Sequence, residues 1–227
     1  MTDLELALAY APIVHFDQNE TIPLRAVGYT VVRASRASES FPKRNILIGG
    51  RTAFSIEYAY YWDYDIQHMY DLEHIWVNVG HDGKPLSAEG SFHGGFIPMY
   101  LPGISPLTGT HIHAFCQPGK HAFLADGRMF QILPDVKACC KERAGGDVLV
   151  GGPFGGIYTP SPEDNEASRW YIRSHLTFDV TMNFTQEAPA DVEYMTWEDL
   201  KAKIPDWIRT ECARIRALKA EEGAGPA

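Results

Sequence analysis

Between residues 63 and 74 this chain gathers Asp63, Asp65, His68, Asp71, Glu73 and His74. Carboxylate oxygens with one or two imidazole nitrogens form a donor set for Mg, Mn, Ca, Zn or Fe(II). The segment HMYDLEHIWVNVG, residues 68–80, reads as a β-strand, and its odd positions from 71 onward are Asp71, Glu73, Ile75, Val77 and Val79. Alternate side chains of a strand share a face. The β-branched aliphatics mark that face as the core side, so two carboxylates point inward. Burying an unpaired carboxylate is costly, and a cation is expected beside them. One divalent ion would neutralise the two inward carboxylates, with His68 completing the shell from the loop. A solvated acidic loop paired with an arginine such as Arg51 is the other reading. Glu57, on a separate strand with no ligand type beside it, is the reference carboxylate.

A second imidazole group lies downstream. His111 and His113 in THIHAF are two apart and share a face if the segment is a strand, and His121 follows the tight turn QPGK. His111 and His113 are secondary candidates for metal ligation; hydrogen bonding in the core is the ordinary alternative. His74, His93 and His121 are candidates for acid–base groups beside a metal held by the carboxylates. Ser91 stands near His93 without the G-x-S-x-G elbow of a nucleophile. The Gly-rich GGPFGG, residues 151–156, lacks the Lys-Ser/Thr ending of a phosphate loop and is expected to be a turn or cleft rim. Tyr61 and Tyr64 are candidates for an aromatic platform, although strand aromatics are core by default.

The elements that must position these residues are mostly strands. Ile13 and Val14 read as a brief strand, followed by a turn at DQNE, residues 17–20. Phe54, Ile56, Tyr58, Tyr60 and Trp62 alternate with smaller or polar residues as one face of a strand. Asp82-Gly83 is a hairpin-type turn. Residues 84–130, rich in Gly, Pro and His, read as short strands and long loops. LPDVKACCKER is expected to be a short helix ended by Gly145-Gly146. Ser161 with Pro162 caps another, and the following RWYIRSHLTFDVTMNF alternates too well to be helical throughout. Thr196 caps WEDLKAK, Pro205 opens a second amphipathic helix with Trp207, Ile208 and Ile215 on its apolar side, and EEGAGPA is expected to fray.

A chain of 227 residues, 45% hydrophobic and 12% aromatic, is long enough to bury a sizeable core. A net charge of −9 argues against a nucleic-acid partner and a polybasic membrane patch. The N-terminus has neither the basic start nor the apolar run of a signal peptide, and no segment has the length of a membrane span. Cys116, Cys139, Cys140 and Cys212 show no CxxC spacing and read as reduced thiols, which points to the cytoplasm.

The acidic segment resembles the signature of the necrosis-inducing Nep-like proteins, Gly-His-Arg-His-Asp-Trp-Glu. In that family the first His, the Asp and the Glu, with an upstream Asp, bind a divalent cation. The matching positions are His68, Asp71 and Glu73, with Asp63 or Asp65 upstream; Gln67, Tyr70 and Leu72 depart from the motif. AEGSFHGGF resembles a downstream Ser-x-His-Gly segment and singles out His93. YAPIVHFDQNETIPL and LEHIWV also resemble the vacuolar-protein-sorting-like domains of plants and fungi. These likenesses lie in patches over residues 7–125. They imply a β-sandwich with a metal site at one edge, and the Nep-like toxins are secreted binders of plant sphingolipid headgroups. The expected architecture is a mainly β, sandwich-like metal-binding domain over residues 1–195 with a C-terminal helical appendage over 196–227. Two functions are expected to compete. One is a cytoplasmic, divalent-metal-dependent hydrolase or lyase acting on a small polar molecule, with His74, His93 or His121 moving protons. The other is a non-catalytic module that binds a glycan or lipid headgroup through the metal.

Overall fold

A computed structural model describes residues 1–147 and 158–223. The chain is mainly β, a sandwich of two sheets with helices on one side. The elements run α1 (Asp3–Ala9), β1 (Ile13–Phe16), β2 (Ala26–Val32), β3 (Arg36–Ala37), β4 (Asn45–Ile46), β5 (Thr52–Tyr64), β6 (Met69–Gly80), β7 (Pro85–Phe92) and β8 (Gly95–Tyr100). They continue with β9 (Leu107–Thr108), β10 (His111–Cys116), β11 (Phe123–Leu124), α2 (Val136–Cys139), α3 (Pro162–Tyr171), β12 (Gln186–Glu187), β13 (Glu193–Thr196) and α4 (Trp197–Gly223). The larger sheet has the order β13-β2-β5-β6-β7-β8, and the smaller β11-β10-β1-β12 with β9 on β10; β3 and β4 form a separate ribbon.

The central hairpin β5–β6 sets the layers. Its antiparallel register pairs Ile56 with Val77, Tyr58 with Ile75, Tyr60 with Glu73 and Trp62 with Asp71. Directly paired residues share a face, so the even side chains of β5 and the odd ones of β6 point the same way, into the sandwich. There Tyr60 meets Phe123 of β11 edge-on at 5.1 Å, and Trp62 meets Phe16 of β1 at 6.5 Å. Gly90 of β7 permits the close approach of the sheets, because a Cβ there would sit 2.9 Å from the Phe123 Cβ and collide with Met99.

The opposite face of the hairpin is also covered, which explains why both parities are apolar. Trp76 packs with Val32, Ile46 and Phe41 beneath the β3–β4 ribbon. Tyr61 is 0% exposed and tilts against Trp207 of α4 at 5.5 Å. The expected boundary at 195/196 falls inside β13, one residue before its end. Leu200, Ile204, Ile208, Cys212 and Ile215 of α4 are buried in the same apolar cluster as the strands, so this helix is a layer of the core.

One helical expectation is corrected. Thr196 caps α4 as expected, its Oγ1 accepting the Asp199 N–H at 3.2 Å, but Pro205 opens no second helix and α4 runs unbroken through it. An interior proline costs about 3 kcal/mol, but fully burying an aliphatic side chain contributes roughly 1.5–3 kcal/mol, and Ile204, Ile208 and Ile215 on the same face offset it. After α3, with its Ser161–Asp164 capping box, the helix continues as a π-turn over Ile172–Leu176 and then becomes extended. The helix thus ends within RWYIRSHLTFDVTMNF, as its alternation implies, and no strand follows before β12 among the described residues. The expected loop GGPFGG lies outside the described residues, as does the last part of the expected fraying tail. No described helix is long and apolar enough to cross a membrane.

Candidate functional site

The turn 65–68 closes the β5–β6 hairpin through an Asp65 N–H to His68 carbonyl bond of 2.9 Å. It meets a second turn, 117–121, where the Ile66 N–H donates to the Gly119 carbonyl at 2.7 Å. Gly119 is required there. Its φ is +66°, and a Cβ would lie 2.9 Å from Ile66 and 3.0 Å from Cys140 Sγ. The two turns bring acids and bases of distant sequence to one end of the sandwich.

Asp65, 1% exposed, is the hub. Its Oδ1 accepts the backbone N–H groups of Gln67 and His68. Its Oδ2 is ion-paired with Lys120 Nζ and lies 3.3 Å from His68 Nε2. On the adjoining strand, Asp71 Oδ2 accepts from His121 Nδ1 at 3.0 Å, and the His121 ring stacks on Trp62 at 4.2 Å with a 4° interplanar angle. Glu73 accepts from Ser91 Oγ, which itself accepts the His74 N–H at 2.6 Å. Desolvation and then the charge of Asp71 push the Glu73 carboxyl well above its ordinary range. Glu20 completes the ring of acids. It accepts from the N–H groups of Gly119 at 2.8 Å, Thr21 at 3.0 Å and Ile22 at 3.1 Å, and burial raises its carboxyl.

The orientation of His68 is informative. Its Nδ1 lies 3.0 Å from the Tyr70 carbonyl and 3.2 Å from that of Met69. A carbonyl only accepts, so the hydrogen-bond pattern assigns the proton to Nδ1. Nε2 faces the Asp65 carboxylate, whose Oδ2 is also paired with Lys120. A backbone-anchored Nδ1–H is also the arrangement that presents Nε2 to a metal. The backbone is unusual here: Tyr70 has a φ of +42° and His121 of +59°. Such conformations in bulky residues concentrate where surrounding structure enforces them.

The structure thus brings Asp65, His68, Asp71, Glu73 and His121 together, and other expected site residues lie elsewhere. Asp63 is on the opposite face of β5, paired with Arg25 Nη1 at 2.5 Å and with Tyr61 OH at 3.3 Å. His74 also faces away from Glu73. It is buried beside Trp76, both its ring nitrogens lack partners, and desolvation lowers it to about 3. His93 is exposed at the tip of the β7–β8 hairpin, where His93 and Gly94 both have positive φ. That is the pattern of a type I′ turn. His111 Nδ1 donates to the Ala11 carbonyl at 2.8 Å, while His113 bridges His15 at 2.8 Å and Thr108 at 2.9 Å. These two lie on the smaller sheet, held by their own partners. Tyr61 and Tyr64 are buried against the helices and offer no platform.

The reference carboxylate has no His, Cys, Asp or Glu among its hydrogen-bond partners. Glu57 is 2% exposed and accepts from Ser38, from Ser40 at 2.8 Å and from Trp76 Nε1 at 2.9 Å. Among the described residues no group of three or more His, Cys, Asp and Glu side chains is placed to hold a metal ion. The acids are turned instead to Lys120, His121 and Ser91. Lys120 and Glu20 are the site residues that sequence reading passes over; QPGK and DQNE register there only as turns.

No protein-family description matches this chain, and no curated protein does. The solved structures it is similar to include Nep-like proteins. One is Necrosis and Ethylene inducing Protein 2 from the causal agent of cocoa's Witches Broom disease, at 18% identity over 64% of this chain and 84% of that one, with a TM-score of 0.37. Another is NLPPya in complex with glucosamine, at 16% identity over 74% and 89% of the two chains, TM-score 0.38. A third is the non-toxic HaNLP3 protein, at 15% identity over 66% and 85%, TM-score 0.33.

Proposed function

We propose that this acid-lined end is a binding site rather than a catalytic one, taking a divalent cation together with a polar glycan or lipid headgroup. The observation that carries the reading is the carboxylate cluster on the inner face. Asp71 and Glu73 lie side by side, Glu73 has a neutral hydroxyl, Ser91 Oγ, as hydrogen-bond partner, and Asp65 at the adjoining turn is shared by Lys120 and His68. An oxygen-rich donor set with one imidazole fits Ca, Mg or Mn. Asp65, His68, Asp71 and Glu73 would hold the ion, and when bound it would offer open coordination positions to sugar or headgroup hydroxyls. Asp63 has no part in this set.

The non-catalytic reading is favoured because the acid–base candidates are not poised for proton transfer. His74 is on the other face of the sheet and His93 is on an exposed tip. His121 is clamped between Asp71 and Trp62. A general acid or base must reach the reacting proton, and none of the three shows both reach and freedom.

Calorimetric titration of metal-free protein with Ca²⁺, Mg²⁺ and Mn²⁺ tests the cation. A single site is expected, lost in Asp71→Asn and Glu73→Gln. At a hundredfold excess over Kd the ion should stabilise the fold by about 2.7 kcal/mol, read as a rise in melting temperature. Binding of immobilised glycans and headgroups should then require the ion. No heat and no melting shift with any of the three ions, in protein shown to be folded, would remove the metal from the reading.

A further inference from the structure

Lys120 occupies an unusual place in this cluster. Its side chain is 14% exposed, its ammonium is ion-paired with Asp65 Oδ2, and the same oxygen faces His68 Nε2. The turn beneath it is held firmly. The Lys120 and His121 N–H groups both donate to the Gln117 carbonyl, at 3.1 and 2.9 Å, and the Gly119 N–H is fixed on Glu20. The Cys140 thiol donates to the Pro118 carbonyl at 3.3 Å, and the Cys116 thiol to that of His121 at 3.4 Å. A flexible side chain on an immobile turn is thereby aimed at one carboxylate oxygen.

We infer that Lys120 is a tethered counter-ion that competes with the divalent cation for Asp65, so that it sets the cation affinity of the site. The inference rests on the cation-binding reading above. A Lys ammonium is a compact point charge. Placed at hydrogen-bond distance from Asp65, it neutralises the carboxylate and repels a second cation approaching the same oxygen. Entry of a divalent ion at Asp65 therefore requires the ammonium to swing away, and its four-carbon stem allows this without moving the turn. The protein would bind the cation weakly or conditionally, and the acid cluster would remain stable without it. The same arrangement explains how Asp65 can be 1% exposed, because a cation of the chain itself is paired with its carboxylate.

The test is calorimetry with Mn²⁺ and Ca²⁺ alone on wild type, Lys120→Met, Lys120→Arg and, as a remote reference, Lys84→Met. Lys120→Met is expected to bind at least about tenfold more tightly, since the loss of one adjacent like charge is worth more than a factor of ten when the site is partly buried. Lys120→Arg keeps the charge and should stay close to wild type, as should Lys84→Met. A second readout needs no variant. In wild type, saturating Mn²⁺ should raise the rate at which an amine-reactive reagent labels Lys120, followed by peptide mass spectrometry. Equal affinities in wild type and Lys120→Met, or unchanged labelling while Mn²⁺ binds, would overturn the inference and leave the cation-binding reading standing. Absence of binding in every folded variant would overturn both.

Discussion

Replacing His74 by Leu should make the protein less sensitive to acid. The wild-type ring is enclosed by Trp76, stacked at 5.5 Å, and Phe41, edge-on at 5.3 Å. The charged groups around that face are Glu57, bound to Trp76 Nε1, and the Arg44–Glu89 pair beside Trp76. Desolvation holds the folded imidazole at about 3, against 6.5 for an ordinary histidine. Above pH 6.5 the ring is neutral in both the folded and unfolded chains, and pH has no effect through it. Below 6.5 the unfolded chain takes up a proton that the folded chain refuses, so stability is lost as pH falls from 6.5 towards 3. At about 1.4 kcal/mol per pH unit this reaches roughly 5 kcal/mol at the acid end, and about 2 kcal/mol by pH 5. Leu is close to His in volume and carries no polar atoms. It should also remove the cost of two unpartnered ring nitrogens, about 1–3 kcal/mol. Urea unfolding of both proteins at pH 7.5, 6, 5 and 4.5 gives the comparison. Carboxylates common to both cancel in the difference. The variant should match or exceed wild type at pH 7.5, with the gap widening by about 2 kcal/mol at pH 5. Parallel curves across this range would refute the argument.

Glu57→Gln should lower stability by about 2 kcal/mol, because a neutral amide oxygen replaces the charged oxygen, Oε1, that accepts from all three buried donors; calorimetric Mn²⁺ binding should be unaltered. Gly119→Ala should cost about 2 kcal/mol or more, through positive φ and contact with Ile66 and Cys140, seen as a lower melting temperature. Pro205→Ala should stabilise α4 by about 1–3 kcal/mol, less whatever packing the buried ring supplies; a fall in melting temperature would show that ring packing dominates.

Much of the central architecture was legible because strand parity is a local signal. The alternation along 54–62 and 71–79 identifies β5, β6 and their shared inner face, and the paired register bears this out residue by residue. The hairpin turn at Asp82-Gly83 and the Ser161 cap are equally local, each written in two or three residues. What failed was continuity. Pro205 is a helix breaker by its own chemistry, yet the burial of Ile204 and Ile208 against strands far away in sequence decides the outcome. The alternation over RWYIRSHLTFDVTMNF marks the end of a helix, at the π-turn over 172–176, but no strand follows it before β12 among the described residues.

The site divides along the same line. Asp71 and Glu73 could be placed inward by parity alone, and the same parity puts His74 on the opposite face, so its assignment as a proton carrier beside Glu73 conflicted with the strand that identified the acids. Asp65 could not be separated from Asp63 without knowing that Lys120 reaches one and Arg25 the other. Glu20 had no local mark at all; its place depends on the N–H of a glycine 99 residues away. An inward acid pair raises the question of a cation wherever it occurs, and local sequence answers only in terms of local residues. Here an answering charge comes from a turn some fifty positions downstream, on a lysine read only as part of a turn. Glu73, with a hydroxyl as partner and Asp71 alongside, is where the proposed exchangeable cation would contribute charge that no residue near it in sequence supplies.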